Sequence, residues 1–392
     1  MYIKKSRLVC IVLVTVIITA ILTFCYLNPF GMENAVQFIK FSKITKTIDE
    51  MYYEDVDMYE AAEMAIAGVA ASTNDPYTMY LWGDDAAAYM ESLGDTYCGV
   101  GLYIEIDQDE NLISVVSAIP GGPAEAAGIT TGDKILKVDG EIYRGDQINE
   151  ASSYMKGEAG TEVVLTIRSA ADGTEYDITL VRSKITIASV TSEMLKDNIG
   201  YISMSQFTEN VSQHFEEAYS KLVDAGAESL VIDLRNNPGG LLDEAVKVAG
   251  NFIPNAEIVT YTLDKYENRN EFLSEGPNDK KPDMNIVILM NGGSASASEV
   301  LSGALRDHEI ATIVGEKSYG KGIVQSAMGS PEALLSVTIA RYYTPNGVCI
   351  HGTGIEPDVM VEMDINKSAR LRTLEHESDE QLQAAVELLT KK

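Results

Sequence analysis

The sequence predicts a mixed α/β chain, part alternating and part α+β, built from more than one domain. Three observations predict it. Beyond residue 184, apolar strands alternate with helices. Between residues 97 and 183, short strands punctuated by glycine dominate. Before residue 83, apolar residues recur at helical spacing. At 392 residues the chain is long enough for two or three domains with their own cores.

The first element is Leu8 to Tyr26, 19 residues without a charge, preceded by Lys4, Lys5 and Arg7. That length spans a bilayer as a helix, and the flanking basic residues favour a cytoplasmic N-terminus. A cleaved signal peptide is the rival reading. No small-x-small cleavage site follows the apolar run, which favours an uncleaved anchor. Residues 1–30 are therefore expected to be a cytoplasmic stub and transmembrane anchor. The protein would be single-pass in the cell membrane, with the rest of the chain outside the cytoplasm.

Residues 31–96 read as a helical region. Val36, Ile39, Phe41, Ile44 and Ile48 follow helical spacing. A second helix, Glu60 to Ala71, stops at Thr73-Asn-Asp-Pro76. Residues 84–95 read as a loose connection.

From Cys98 the texture changes. Gly99-Val-Gly-Leu-Tyr-Ile-Glu-Ile106 and Leu112 to Val116 read as strands, and Pro120-Gly-Gly-Pro123 as a turn. Gly132-Asp-Lys-Ile-Leu-Lys-Val-Asp-Gly140 is a short strand closed by an Asp-Gly turn, and Val163–Arg168 with Tyr176–Val181 alternate like a hairpin. Residues 97–183 resemble a PDZ domain of the form found in bacterial proteases, on Pro120-Gly-Gly-Pro-Ala-Glu-Ala-Ala-Gly-Ile129 and the Gly132–Gly140 segment. Its Gly99-Val100-Gly101 loop can take a carboxylate, and the strand from Leu102 can add an extended peptide along its edge.

Residues 184–363 follow a βα pattern. Ile199–Met204, Ser229–Leu234 and Ile286–Met290 read as strands. Gln213–Ala225, Leu241–Ile253 and Ser296–Arg306 read as helices. Residues 335–363 return to strands, and 364–392 form a tail whose helix starts at Asp379.

Composition excludes some functions. Residues 1–30 hold no Asp or Glu, so the rest of the chain carries all 59 acids against 27 bases. Such a body repels nucleic acid and anionic lipid. Only Cys98 and Cys349 lie outside the apolar run. They make neither a metal cluster nor a disulfide framework, and two free thiols are expected. No His/Cys/Glu spacing resembles a metal site, and no cofactor is expected.

The chemistry concentrates in Asn291-Gly-Gly-Ser-Ala-Ser-Ala-Ser-Glu-Val300 and Tyr319-Gly-Lys-Gly322. Ser296 falls at a strand-to-helix corner, near unpaired helix N–H groups that favour negative charge. Ser296-x-x-Glu299 is also a capping box, and Ser294 and Ser298 leave open which hydroxyl matters. Lys321 lies between two glycines. A buried lysine can lose its proton near neutrality and serve as a base for a hydroxyl. Reaching about pH 7.5 from the ordinary lysine value of about 10.4 takes roughly 4 kcal/mol of differential destabilisation. A surface lysine in a glycine turn is the alternative. Gln325, four residues on, would share a strand face with Lys321 and orient its amine. Ile232-Asp-Leu-Arg-Asn-Asn-Pro-Gly-Gly-Leu241 ends a buried strand. N–H groups of Gly239 or Gly240, with that of Ala297, could form an oxyanion hole.

Asp233-Leu-Arg-Asn-Asn-Pro-Gly-Gly240, Gly293-Ser-Ala-Ser-Ala-Ser-Glu299 and Gly320-Lys-Gly-Ile-Val-Gln325 together resemble the carboxyl-terminal processing, or tail-specific, serine peptidases. Asp75-Pro-Tyr-Thr78, Thr344-Pro-Asn-Gly347 and Gly354-Ile-Glu-Pro-Asp358 agree in the same order. The resemblance implies Ser296 as nucleophile, Lys321 as general base and Gln325 as its orienter. It implies a core related to the crotonase and Clp-type peptidase architecture, with the PDZ domain inserted ahead of it. It also implies protein substrates with accessible C-termini, peptide binding by Gly99, Val100, Gly101 and Leu102, and gating by the PDZ domain. Helices at both ends allow a homodimer. Lys156 stands where the family commonly has a peptide-sensing arginine, and Ser318-Tyr319 where Thr-Phe is frequent.

Two rival functions remain at this point. One is a non-catalytic PDZ scaffold that tethers peptides at the membrane. The other is a histidine-dependent serine peptidase using His351 or His308. His214 and His376 read as exposed, and no Gly-x-Ser-x-Gly elbow is present.

Overall fold

The computed structural model describes residues 13–16, 18–19, 35–107, 109–186, 189–276, 283–330, 332–364, 371 and 375–391. Most of the expected anchor, Leu8 to Tyr26, lies outside the described residues; 13–16 and 18–19 are helical and exposed. Among the described residues no helix is long and apolar enough to cross a membrane.

The chain divides into two compact units, residues 1–74 and 75–392. The first contains α1 (Ala35–Met51) and α2 (Met58–Ala71). The Asp57 carboxylate caps α2 by accepting from the N–H groups of Tyr59 and Glu60. Val36, Ile39, Phe41, Ile44 and Ile48 lie along α1 as the spacing predicts, and all five are exposed.

The second unit opens with β1 (Met79–Trp82) and α3 (Gly83–Leu93). The helix corrects the expectation of a loose connection at 84–95. Ala86 packs inward with no exposure, and Asp84 and Asp85 sit in the first turn, where the helix dipole favours acids.

A glycine-rich sheet follows. It is built from β3 (Leu102–Asp107), β4 (Leu112–Ala118), β5 (Lys134–Val138), β6 (Glu141–Ile142), β7 (Glu162–Arg168) and β8 (Glu175–Val181). The main order is β3-β4-β5-β7-β8, with β6 paired to β5, so β3 is an edge. Asp139 and Gly140 both take positive φ at the predicted turn. Helices α4 (Pro123–Ala126) and α5 (Ile148–Met155) cover it, and Ile113, Ile135, Leu165 and Ile167 form its core. The incoming β2 (Thr96–Gly99) pairs antiparallel with the outgoing β9 (Ser183–Thr186), which closes this sheet off as an insertion.

The remaining chain builds two sheets. The first has the order β10 (Val190–Met194), β11 (Ile199–Met204), β12 (Ser229–Asp233), β15 (Asn285–Met290), β16 (Ala311–Gly315), β19 (Val359–Met360). From β11 to β19 every pairing is parallel. Its strands are apolar on both faces, as a doubly covered parallel sheet requires. Ile286, Ile288 and Met290 point to a core shared with α6 (Val211–Asp224), α7 (Leu242–Ala249) and α8 (Ala297–Asp307). Val287 and Leu289 point to the opposite face, where α9 (Glu380–Thr390) packs through Leu382 and Ala385. The second sheet joins β1, β18 (Ala333–Tyr343), β13 (Ile258–Asp264) and β14 (Arg269–Leu273), with β17 (Ile323–Ser330) paired to β18. Cys98 and Cys349 are free thiols, as expected.

Candidate active site

The site forms where β12 and β15, adjacent and parallel, both end in polar turns. Asn236 N–H donates to the Asn291 side-chain oxygen at 2.9 Å, and Asn291 Nδ2 donates to Asn236 Oδ1 at 2.8 Å. Ala295 N–H and Ser298 Oγ both donate to the Asn237 carbonyl, at 3.0 and 2.9 Å. These bonds tie the two turns into one rigid corner. Close approach needs glycine: a Cβ on Gly239 would lie 2.7 Å from both the Ala295 carbonyl oxygen and the Ser296 Cβ.

Ser296 is the N-cap of α8, with φ 54° and ψ −114°. That conformation is rare and strained for a residue with a side chain, and it marks a sharp strand-to-helix turn like those that present nucleophiles. The hydroxyls of the neighbouring serines are engaged elsewhere. Ser294 Oγ donates to the Leu234 carbonyl at 2.8 Å and Ser298 Oγ is used as above, both fully buried. Their hydroxyls hold the corner together. Ser296 is only partly buried, and its side chain lies beside the Tyr342 phenol, which burial pushes well above its usual proton affinity.

Glu299 ties the Ser296 and Lys321 segments together. It is fully buried, and its carboxylate accepts four bonds. Oε1 takes Ser318 Oγ (2.5 Å) and Gly320 N–H (2.7 Å). Oε2 takes Ser296 N–H (2.8 Å) and Lys321 N–H (2.9 Å). Desolvation pushes this carboxyl above its usual range, and the four donors act against that push. The sequence reading took Glu299 for half of a capping box. That bond to Ser296 exists, but the same oxygen also holds the Lys321 segment.

Lys321 is half-buried, and desolvation pulls its ammonium below the usual lysine range, with the Asp75 charge acting in the opposite direction. Its Nζ stands 4.7 Å over the centre of the Tyr77 ring. Its carbonyl accepts a bond from the Tyr342 hydroxyl. Gln325 follows a bulge between Val324 and Gln325, which breaks the simple same-face argument. Its Nε2 donates to the Tyr77 carbonyl (2.8 Å) and Ser336 Oγ (2.9 Å). Lys321 and Gln325 thus converge on Tyr77. Among the described residues, no hydrogen bond joins Lys321 Nζ to Ser296 or to Gln325.

Of the three expected oxyanion donors, Gly239 N–H is taken by Asn237 Oδ1 at 2.9 Å. Gly240 N–H and Ala297 N–H have no acceptor among the described residues, and Ala297 opens α8. Beneath them Arg235 is buried between Asp233 (Nη2 to Oδ2, 2.6 Å) and Asp379, the N-cap of α9 (2.9 and 2.7 Å). The terminal helix is therefore fastened to the base of the glycine loop.

Among the described residues, neither His308 nor His351 bonds Ser296 or Lys321. His308 caps the end of α8, and its Nε2 is 2.8 Å from the Ile258 carbonyl oxygen. His351 Nδ1 is buried without a hydrogen-bond partner. No group of His, Cys, Asp and Glu among the described residues could hold a metal.

A groove of about 300 Å³ lies between the edge strand β3 and α5. Val100, Leu102, Ile104, Ile119 and Met155 line it, together with Lys156. Gly101 takes positive φ, and a Cβ there would meet Gly122 Cα at 3.3 Å. Gly99 forms a bridge with Lys156. Lys156 Nζ pairs with Glu91 of α3 at 2.8 Å and stands 5.2 Å from the centre of the Tyr97 ring.

The chain is similar to known proteins in sequence and in fold. A profile of peptidase family S41 matches residues 198–361, and a PDZ-domain profile matches 114–169. Over 375 residues the chain is 34% identical to a "Probable CtpA-like serine protease" of Staphylococcus aureus (strain MSSA476), covering 92% of this chain and 73% of that protein. A protein of the same name from Staphylococcus haemolyticus (strain JCSC1435) is 37% identical over 318 residues, covering 81% of this chain and 63% of its own. A Bacteroides fragilis protein assigned to the S41 proteases shares the fold, with a TM-score of 0.57 at 16% identity over 88% of this chain and 96% of that one. The photosystem II D1 C-terminal processing protease aligns at 29% identity with a TM-score of 0.49, over 84% of this chain and 95% of its own.

Proposed function

The chain belongs to peptidase family S41, the CtpA-like C-terminal processing serine proteases with a PDZ domain, and from that premise we propose that it cuts proteins near their C-termini with a Ser296–Lys321 dyad. The observation that carries this reading is the Glu299 carboxylate, one oxygen of which holds the main chain of both residues. Ser296 sits on a strained corner, and the N–H groups of Ala297 and Gly240 have no acceptor among the described residues.

In the proposed reaction Lys321 first loses its excess proton to solvent, which its desolvation favours. The side chain swings from Tyr77 toward Ser296; its four-carbon stem has the freedom to do so. The amine takes the Ser296 hydroxyl proton as Oγ bonds to the scissile carbonyl carbon. The resulting oxyanion faces Gly240 and Ala297 N–H. The C–N bond breaks, and the Lys321 ammonium gives its proton to the leaving amine. Water then attacks the ester as Lys321 takes one of its protons; the C–Oγ bond breaks, the Lys321 ammonium returns that proton to Ser296 Oγ, and the carboxylic acid product leaves.

The PDZ groove is read as the receptor for the substrate tail, added as a strand along the β3 edge. Gating is supported by a run of contacts toward the oxyanion loop. Lys156 pairs with Glu91; Ser92 O and Leu93 O accept from Gln206 Nε2 (3.0 Å) and Glu209 N–H (3.1 Å); and Phe207 N–H donates to Gly239 O (2.9 Å). The membrane anchor at residues 1–30, with an extracytoplasmic body, rests on the apolar run and its basic flank. A homodimer would cover the apolar residues that α1 leaves exposed.

The test compares substrates with free and amidated C-termini, reading product termini by mass spectrometry. Cleavage near free tails, lost in Ser296→Ala and weakened by amidation, is expected. Tail binding without any cut by the wild type would favour a scaffold instead.

A further inference from the structure

Tyr77 lies in Asp75-Pro-Tyr-Thr78, a turn that shares in the family resemblance without giving Tyr77 a role. The structure holds its main chain at two points. Its N–H donates to Asp75 Oδ1 at 3.1 Å. Its carbonyl accepts from Gln325 Nε2 at 2.8 Å. Its hydroxyl faces that of Tyr319. The turn itself is clamped to β18, because Thr78 Oγ1 bonds Asp75 Oδ2 at 2.7 Å and accepts from Thr338 N–H at 3.1 Å. A ring fixed in this way is a rigid wall, and Lys321 Nζ stands 4.7 Å from its centre.

Resting on the Ser296–Lys321 reading, we propose that Tyr77 is a positioning residue for the general base. Its ring holds the Lys321 ammonium in a waiting position through a cation–π contact, while its carbonyl fixes Gln325 beside it. The contact is selective for the charged form, because a ring face attracts an ammonium and not an amine. Once Lys321 is neutral it loses its hold on the ring and is released toward Ser296. Deprotonation and release thus become one event.

The other groups around Lys321 do not supply such a hold. Asp75 acts only through its charge, with His351 nearby on the same carboxylate. Glu299 bonds the Lys321 N–H, and Tyr342 the Lys321 carbonyl; both grip the main chain. Among the described residues no carboxylate pairs with Nζ. Tyr319 touches Tyr77 at its hydroxyl rather than at its face.

The test measures how fast an alkyl fluorophosphonate labels the nucleophile of the full-length chain as pH is varied, in wild type, Tyr77→Phe and Tyr77→Leu. Labelling needs the base but no turnover. Tyr77→Leu keeps the site apolar but removes the face. Its acid limb is expected to move to lower pH by about half a unit to one unit, with a labelling plateau about tenfold lower as the base loses its guide. Tyr77→Phe keeps the face, and its limb should stay at the wild-type position. An unmoved limb in Tyr77→Leu would overturn the proposal, as would an equal shift in Tyr77→Phe. Tyr77→Met is the second variant if Tyr77→Leu fails to fold, with the same expected shift. Lys321→Ala keeps the two ideas separate. If it abolishes labelling while Tyr77→Leu leaves the limb unmoved, the dyad stands and Tyr77 has no such role. If it labels like wild type, the dyad itself fails.

Discussion

Replacing Glu299 by glutamine keeps shape and volume but removes the charge and turns one acceptor oxygen into an NH2 group. The four donors on the carboxylate cannot all be satisfied by an amide. The orientation that conserves most bonds turns the NH2 toward Ser318 and Gly320, because the Ser318 hydroxyl can rotate to accept. That leaves the buried Gly320 N–H opposed to another donor, a loss of about 1–3 kcal/mol. The bonds kept by Ser296 N–H and Lys321 N–H fall from charge-assisted to neutral strength, about half of what they were. Relief of the buried charge offsets part of this. The net loss is about 2 kcal/mol, a fall in melting temperature of roughly 3 °C for the unit of residues 75–392. The effect on rate should be larger than the effect on stability. Gly320 adjoins Lys321, and a displacement of about 1 Å at a catalytic group lowers the rate about a hundredfold. The assay is kcat/KM on a tagged protein tail, beside a thermal melt. Wild-type kcat/KM in a folded Glu299→Gln would refute the idea that this carboxylate sets the distance between the two segments.

Four further outcomes follow from the same structure. Asp379→Ala leaves Arg235 buried with half its partners and should destabilise the protein by about 3–5 kcal/mol, read by urea unfolding; a change within error would show that the terminal helix does not carry the glycine loop. Ser294→Ala should lower stability by about 1–3 kcal/mol yet keep nucleophile labelling, because its hydroxyl only supports Leu234. Lys156→Glu opposes Glu91 and should separate the PDZ groove from α3, changing how strongly a free tail peptide stimulates cleavage in a peptide-titration assay. Burial pulls Lys321 below the ordinary lysine range, so kcat/KM should rise with pH through a limb lying below that range and vanish on the acid side; a limb at the ordinary lysine position would deny the desolvated base.

Much of the fold was legible because local signals and tertiary demands agree. The apolar run ending at Met290, the glycines after it and the helix from Ala297 read as strand, turn and helix, and they fold that way. The Asp139-Gly140 turn and the β7–β8 hairpin were equally plain. The misread parts are those whose partners are distant. Residues 84–95 lack strong helical periodicity, yet Ala86 finds a buried position and the helix forms. Glu299 looked like a cap because one of its four bonds is a cap bond; the others reach Ser318, Gly320 and Lys321, 19 to 22 residues away. Tyr77 meets Gln325 across 248 residues, a contact that no spacing rule announces. The bulge at Gln325 is likewise a property of strand pairing, invisible in a single strand. The strain at Ser296 has no composition cue, since elbows are usually recognised by flanking glycines that this corner lacks.

The most direct measurement is acid quenching of the enzyme during cleavage of a slow ester or peptide substrate, followed by peptide mapping of any covalent acyl group. The dyad predicts an acyl ester on Ser296 in the wild type and none in Lys321→Ala at the same pH. An adduct on another residue, or undiminished acylation of Ser296 without the lysine, would contradict it.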